Sequence, residues 1–134
     1  MLERGPPTAT LRRLMQLGWD AFGLIIFMLL VYPIARSKRS KRRAWVISGH
    51  KARIYADNSA ALHQYITAHT TQRIMWVTCD AQIGDELGVR GLVVLRKNSF
   101  RARYHIVAAP ALIYSHGEDD LDDFLFVLRR LLGV

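Results

Sequence analysis

One cysteine, Cys79, rules out an intrachain disulfide and suits a reducing compartment. With no activating partner legible nearby, it reads as a small buried hydrophobe. The chain lacks both G-x-G-x-x-G and the Walker phosphate loop, so neither common nucleotide signature is present. Internal repeats and low-complexity tracts are also missing. Five histidines offer no metal-ligand spacing: His63 and His69, six apart, fall on different faces of a helix. His50, His63, His69 and His105 therefore read as surface or packing residues, and no metal site is expected. Basic charge is scarce where a nucleic-acid binder needs it. Of the net +8, residues 1–43 hold nine Lys and Arg against Glu3 and Asp20, while residues 44–134 hold ten against nine acids. The folded part is nearly neutral, which disfavours nucleic acid as a partner. At 134 residues the chain is about one small domain, short for a two-domain enzyme.

What is present begins with "LMQLGWDAFGLIIFMLLVYPIARSKRSKRR". Over 14–35 only Gln16 and Asp20 are strongly polar, and a helix of that length reaches about 33 Å, enough for a hydrocarbon core of about 30 Å. The uncharged part, 21–35, reaches about 22 Å, so Asp20 sits near an interface or the helix enters without spanning. Residues 21–31 are apolar on every face, which favours a spanning helix over one lying flat. Trp19 and Tyr32 suit the two interfaces. Arg36, Lys38, Arg39, Lys41, Arg42 and Arg43 outweigh Arg4, Arg12 and Arg13, which places the following domain in the cytoplasm and offers a basic surface to anionic lipids. That basic flank resembles a stop-transfer signal more than a cleavage site. The expected organisation is a tail (1–13), a membrane helix (14–35), a basic linker (36–43) and a domain (44–134).

Beyond the linker, short apolar runs alternate with helical segments. Strands are expected over 44–48, 73–78, 89–95 and 111–115, and helices over 57–70, 80–87 and 99–109, the last with Ser99 as N-cap and Pro110 as its stop. A final helix over 119–132 would present Leu121, Phe124, Leu125 and Leu128 as a core-facing stripe. The acids Glu118, Asp119, Asp120, Asp122 and Asp123 then read as dipole partners at its start rather than as a cation site. Strand–helix repeats of this kind build an α/β domain with a parallel sheet.

Open parallel sheets bind ligands at the carboxyl ends of their strands, where loops meet helix N-termini. "SGHKARIYADNS" is such a loop. It offers Gly49 for close backbone approach and ends at Asp57, Asn58 and Ser59, residue types that accept from the free N–H groups of a helix start.

The same stretch carries a family resemblance. "WVISGHKARIYADNSAALHQYI", "RIMWVT" and "NSFRARYHIVAAPALIYSHGEDD" together resemble the N-terminal part of the CDP-glycerol glycerophosphotransferases, the teichoic acid and capsule polymerases and primases of bacterial envelopes. The matching positions are Trp45, Gly49, Tyr55, Asp57, Asn58, Ser59, Leu62 and Tyr65. Trp76, Thr78, Ser99, Ala108, Ala109, Ser115, His116 and Gly117 follow. The likeness spans residues 44–125, and Tyr-x-Asp-Asn-Ser after a strand and a glycine is its strongest motif.

The resemblance implies a GT-B fold of two Rossmann-like domains, this chain supplying the N-terminal, acceptor-facing one. Gly49, Tyr55, Asp57, Asn58, Ser59 and His116 become acceptor-binding candidates. The implied acceptor is a lipid-linked glycerophosphate or glycan, and the donor of the full-length enzyme is CDP-glycerol; no cofactor is implied. The family's Trp-His-Gly with a following Lys, which supplies a catalytic histidine, would fall beyond Val134. His116-Gly117 is not that motif, since Ser115 precedes it and no Lys follows at the right distance. The expectation is therefore a truncated portion, or one with a separately encoded C-terminal half, that does not catalyse alone. The alternative is a membrane-tethered α/β binding or regulatory module without transferase activity.

Overall fold

The computed structural model describes residues 7–37 and 44–133. A continuous helical segment comes first: α1 (Pro7–Ile26), a π turn (Phe27–Val31) and α2 (Tyr32–Ser37). The π turn lies just before Pro33, whose ring and missing N–H oppose a regular α ladder at that point; the wider turn lets Tyr32 N–H reach Phe27 O instead. Leu11–Ser37 is long and apolar enough to cross a membrane.

The rest alternates β1 (Trp45–Ile47), α3 (Asp57–His69), β2 (Ile74–Thr78), α4 (Ala81–Val89), β3 (Val93–Arg96), α5 (Phe100–Ala108), β4 (Leu112–Ile113) and α6 (Leu125–Leu131). The four strands form one parallel sheet in the order β3-β2-β1-β4. The expected α/β class with a parallel sheet is borne out. Period-2 alternation sends successive side chains to opposite faces. Trp45, Ile47, Ile74, Trp76 and Val94 meet Ile66 of α3 with Ile83 and Leu87 of α4. Val46, Met75, Val77 and Leu95 meet Ala102 and Ile106 of α5, with Leu121 and Leu125.

That second face has an additional tenant. Phe27, Met28 and Tyr32 are buried in the same core, with Phe27 fully enclosed and set edge-on to Phe100 of α5 at 5.9 Å. Half of the apolar N-terminal run thus serves as a helix of the α/β layer.

Ser99 caps α5 as expected, accepting from Ala102 N at 3.1 Å. Most element ends shift by one or two residues, and two differ more. β3 begins four residues after its expected start because α4 continues to Val89 and ends at Gly91, whose φ of +75° suits glycine. The final helix is broken into a 3-10 turn (Glu118–Asp120) and α6. The cause is Asp122: its buried carboxylate accepts from Phe124 N and Leu125 N, starting α6 there, and pairs with Arg103 Nε at 2.8 Å. Leu121 and Leu125 enter the core as expected, whereas Phe124 is exposed.

Candidate functional site

From β1 the chain steps to β2 and β3 on one side, and only β4 lies on the other. The switch point of the sheet is therefore between β1 and β4, where open α/β sheets form a crevice at the strand ends. The loop after β1 and the segment after β4 meet there.

The loop is held in an uncommon shape. His50, Lys51 and Ala52 have φ of 49°, 55° and 64°, three successive non-glycine residues in the left-handed region, and Asp57 adds a fourth at 58°. Each such residue costs roughly 1 kcal/mol or more, so the surroundings must fix the turn. Two anchors do so. Ala52 O accepts from Cys79 N at 2.8 Å and from Thr78 Oγ1 at 2.9 Å, both at the end of β2. On the other side Asp120, fully buried, accepts from Lys51 N at 2.6 Å, Ser115 N at 2.9 Å, His116 N at 2.9 Å and Ser115 Oγ at 3.2 Å. Burial alone would raise the Asp120 carboxyl, but hydrogen bonds from His116, Lys51 and Ser115 outweigh it and hold the group below the ordinary aspartate range.

With both segments fixed, two imidazoles face each other. The His50 and His116 rings lie 4.7 Å apart at 52°. His50 Nε2 is bonded to the Asp57 carboxylate, and Ser115 Oγ lies 2.7 Å from His116 Nδ1. Ser115 Oγ also accepts from His50 N at 3.3 Å, closing the ring of contacts between the segments. An imidazole whose one nitrogen is fixed by a carboxylate keeps the other free to exchange a proton or hold a phosphate oxygen. Gly49 sits where a Cβ would come within 3.0 Å of Ser115 Oγ and 3.1 Å of Ser59 Oγ, so its lack of a side chain permits this closeness.

The structure thus brings together Gly49, Asp57, Ser59 and His116 of the expected residues. Asn58 is exposed at the start of α3, and its side chain makes no hydrogen bond among the described residues. Tyr55 turns away: its hydroxyl meets His63 Nδ1 at 2.9 Å and its ring packs on Trp76, in the core beneath α3. The capping role read for Asp57, Asn58 and Ser59 is not realised. Asp57, left-handed, directs its carboxylate to His50, and Ser59 is buried against Gly49. Arg36 bonds to Tyr32 Oη at 3.3 Å, while Lys38, Arg39, Lys41, Arg42 and Arg43 lie outside the described residues.

Three corner residues escaped the sequence reading. From the sequence His50 reads as a surface or packing residue, Asp120 as a dipole acid, and Ser115 as a matching position only. Their one signal was position, since each follows a strand on either side of the switch point. Cys79 is exposed, contrary to the buried reading, because it leaves the end of β2, its thiol bonding to the backbone carbonyls of Lys51 and Ala52 in the turn. The remaining acids take individual partners: Lys97 and Asn98 for Asp123, Lys51 for Asp119, Arg130 for Glu118.

Compared with protein-family models, curated proteins and solved structures, the chain matches none. Fold and site define an α/β domain with a four-stranded parallel sheet, an apolar N-terminal helix and a histidine-bearing corner at the switch point.

Proposed function

We propose that this chain is the N-terminal, acceptor-side portion of a membrane-associated glycerophosphotransferase. In this reading it is the Rossmann-like first half of a GT-B enzyme, its domain cytoplasmic. The observation that carries the reading is the convergence of His50 and His116 at the switch point. Support also comes from the Tyr-x-Asp-Asn-Ser resemblance and from an apolar helix with basic ends, suited to reaching lipid-linked acceptors.

In the proposed reaction, the acceptor hydroxyl oxygen attacks the β-phosphorus of CDP-glycerol, the bond to the CMP oxygen breaks, and CMP departs with the electron pair. The hydroxyl proton must pass to a base as the new phosphodiester forms. The corner's part is to hold the acceptor's glycerophosphate end: His116 and backbone N–H groups at the start of α3 face its phosphate, and Asp57 fixes the orientation of His50. The donor belongs to a second half.

The test titrates sn-glycerol 3-phosphate into the full chain in lipid nanodiscs and follows the imidazole signals by NMR. The His50 and His116 signals should shift together, and His50→Ala or His116→Ala should weaken binding about tenfold, the scale of one lost charge-assisted hydrogen bond. CMP release from CDP-glycerol by this chain alone should stay at background. Unchanged imidazole signals at saturating ligand would reduce the protein to a membrane-tethered α/β module with no acceptor role.

A further inference from the structure

The apolar segment has two sides with different neighbours. Arg13, Gln16, Asp20, Leu24 and Phe27 follow one another at spacings of three and four, a single line along the helix. The line is polar where the helix projects beyond the domain and buried where it docks on it, Leu24 at 8 % exposure and Phe27 at 0 %. The opposite line runs through Leu11, Met15, Gly18, Phe22, Ile25 and Leu29 at the same spacings. It is apolar from end to end, and its five side chains are each more than half exposed. Trp19 borders this ridge at 72 % exposure.

A helix crossing a bilayer has to surrender its whole apolar length to lipid. Here Phe27, Met28, Tyr32 and Ala35 are already enclosed by the domain. The part free of it, residues 11–23, reaches about 20 Å, well short of the roughly 30 Å of a hydrocarbon core. Carrying the docked part into the bilayer would take α5 along with it, and α5 bears the exposed Arg101. The two sides of the helix have separate partners, and this accounts for a run that is apolar on every face yet too short when docked.

We infer that the helix lies in the plane of one leaflet, the Leu11–Leu29 ridge in the acyl boundary of an anionic membrane and the domain on its aqueous side. The charges fit this occupant. Arg12 and Arg13 flank one end of the ridge and Arg36 the other, and the sequence continues into Lys38, Arg39, Lys41, Arg42 and Arg43. A second copy of the chain is the other candidate for an apolar ridge. With cations at both ends, either a parallel or an antiparallel partner would oppose arginine to arginine, whereas anionic headgroups neutralise both ends. The inference rests on the membrane association of the proposed function and is independent of its transfer chemistry.

The experiment places one nitroxide label at a time at Met15, Phe22, Leu29 or Gln16 in the full chain carrying Cys79→Ser. The chain is then bound to vesicles with or without phosphatidylglycerol. Labels at Met15, Phe22 and Leu29 should share one shallow depth by oxygen and nickel-chelate accessibility, with the Gln16 label in the aqueous or headgroup layer. Flotation with vesicles should weaken at least tenfold when phosphatidylglycerol is left out. A depth that rises to a maximum along the helix, with the N-terminus sealed from added protease, would overturn the in-plane arrangement while leaving membrane association intact. Failure to float with any vesicle would remove membrane association itself. Strong dipolar broadening between Leu29 labels, with those labels inaccessible to oxygen, would assign the ridge to a second copy.

Discussion

Replacing Phe27 with alanine will destabilise the α/β domain by about 3–5 kcal/mol, the range for removing a fully buried phenylalanine. Such a loss is far larger than a lipid-anchoring residue could cause in the folding of a separate domain. The expectation rests on the enclosure of Phe27 at 0 % exposure, its edge-on contact with Phe100, and its place in one core with Val46, Val77 and Leu95 from three different strands. The cavity left behind is walled by the sheet and by α5, neither of which can collapse into it without breaking ladder or helix hydrogen bonds. Leu29→Ala is the matched control. Leu29 lies on the opposite side, 70 % exposed, and its loss should leave unfolding within about 0.5 kcal/mol of the parent while weakening flotation with anionic vesicles. Urea unfolding of both variants in one mild detergent, followed by the fluorescence of the buried Trp76, provides the comparison. Equal unfolding midpoints for Phe27→Ala and the parent would detach the helix from the domain.

The pairing of these two residues also shows where the sequence could and could not be read. Both stand in an uninterrupted apolar run, and hydropathy weighs lipid and protein interior alike, so Phe27 and Leu29 look equivalent until the tertiary partner of each face is known. The polar line of Arg13, Gln16 and Asp20 was the available clue, since it marks the side that later meets the domain. In the sheet, by contrast, β-branched and aromatic runs placed all four strands, and Ser99 declared the start of α5, because those signals are local. The last helix misled for the opposite reason. Its 3.6-residue stripe of Leu121, Phe124, Leu125 and Leu128 runs on unbroken past Asp122, and only a distant Arg103 makes that carboxylate a buried starting point for α6.

The corner was legible as a place and not as a set of residues. The glycine, the strand end and the helix start marked the loop after β1. Nothing in the sequence announces that His50, Lys51 and Ala52 are left-handed, a conformation none of the three prefers. Nor could spacing bring residue 50 beside residue 116. That contact depends on β4 pairing with β1 on the side away from β2, a consequence of topology.

Asp120→Ala is expected to cost on the order of 3–5 kcal/mol and to dissolve the corner before the rest of the fold. The substitution strands three backbone N–H groups, those of Lys51, Ser115 and His116, together with the Ser115 hydroxyl. A buried donor left without its acceptor costs about 1–3 kcal/mol, partly relieved where water can enter. The left-handed turn loses one of its two anchors as well, so its backbone strain is released by local unfolding rather than borne. The pH dependence has a definite sign. Burial pushes the Asp120 carboxyl up, but its hydrogen bonds outweigh this and keep the folded group more acidic than an unfolded aspartate, whose pKa is about 3.9. The charge therefore contributes its full stability above the unfolded value and loses it as pH falls through the folded one. The difference between parent and Asp120→Ala should be constant from about pH 7 to pH 5 and shrink below about pH 4. Thermal melts across that range measure the gap, and hydrogen exchange at Lys51, Ser115 and His116 at pH 7 reports the corner. Amides that stay protected in the variant, or a gap that persists undiminished down to pH 2, would mean that something other than this carboxylate holds His50 and His116 together.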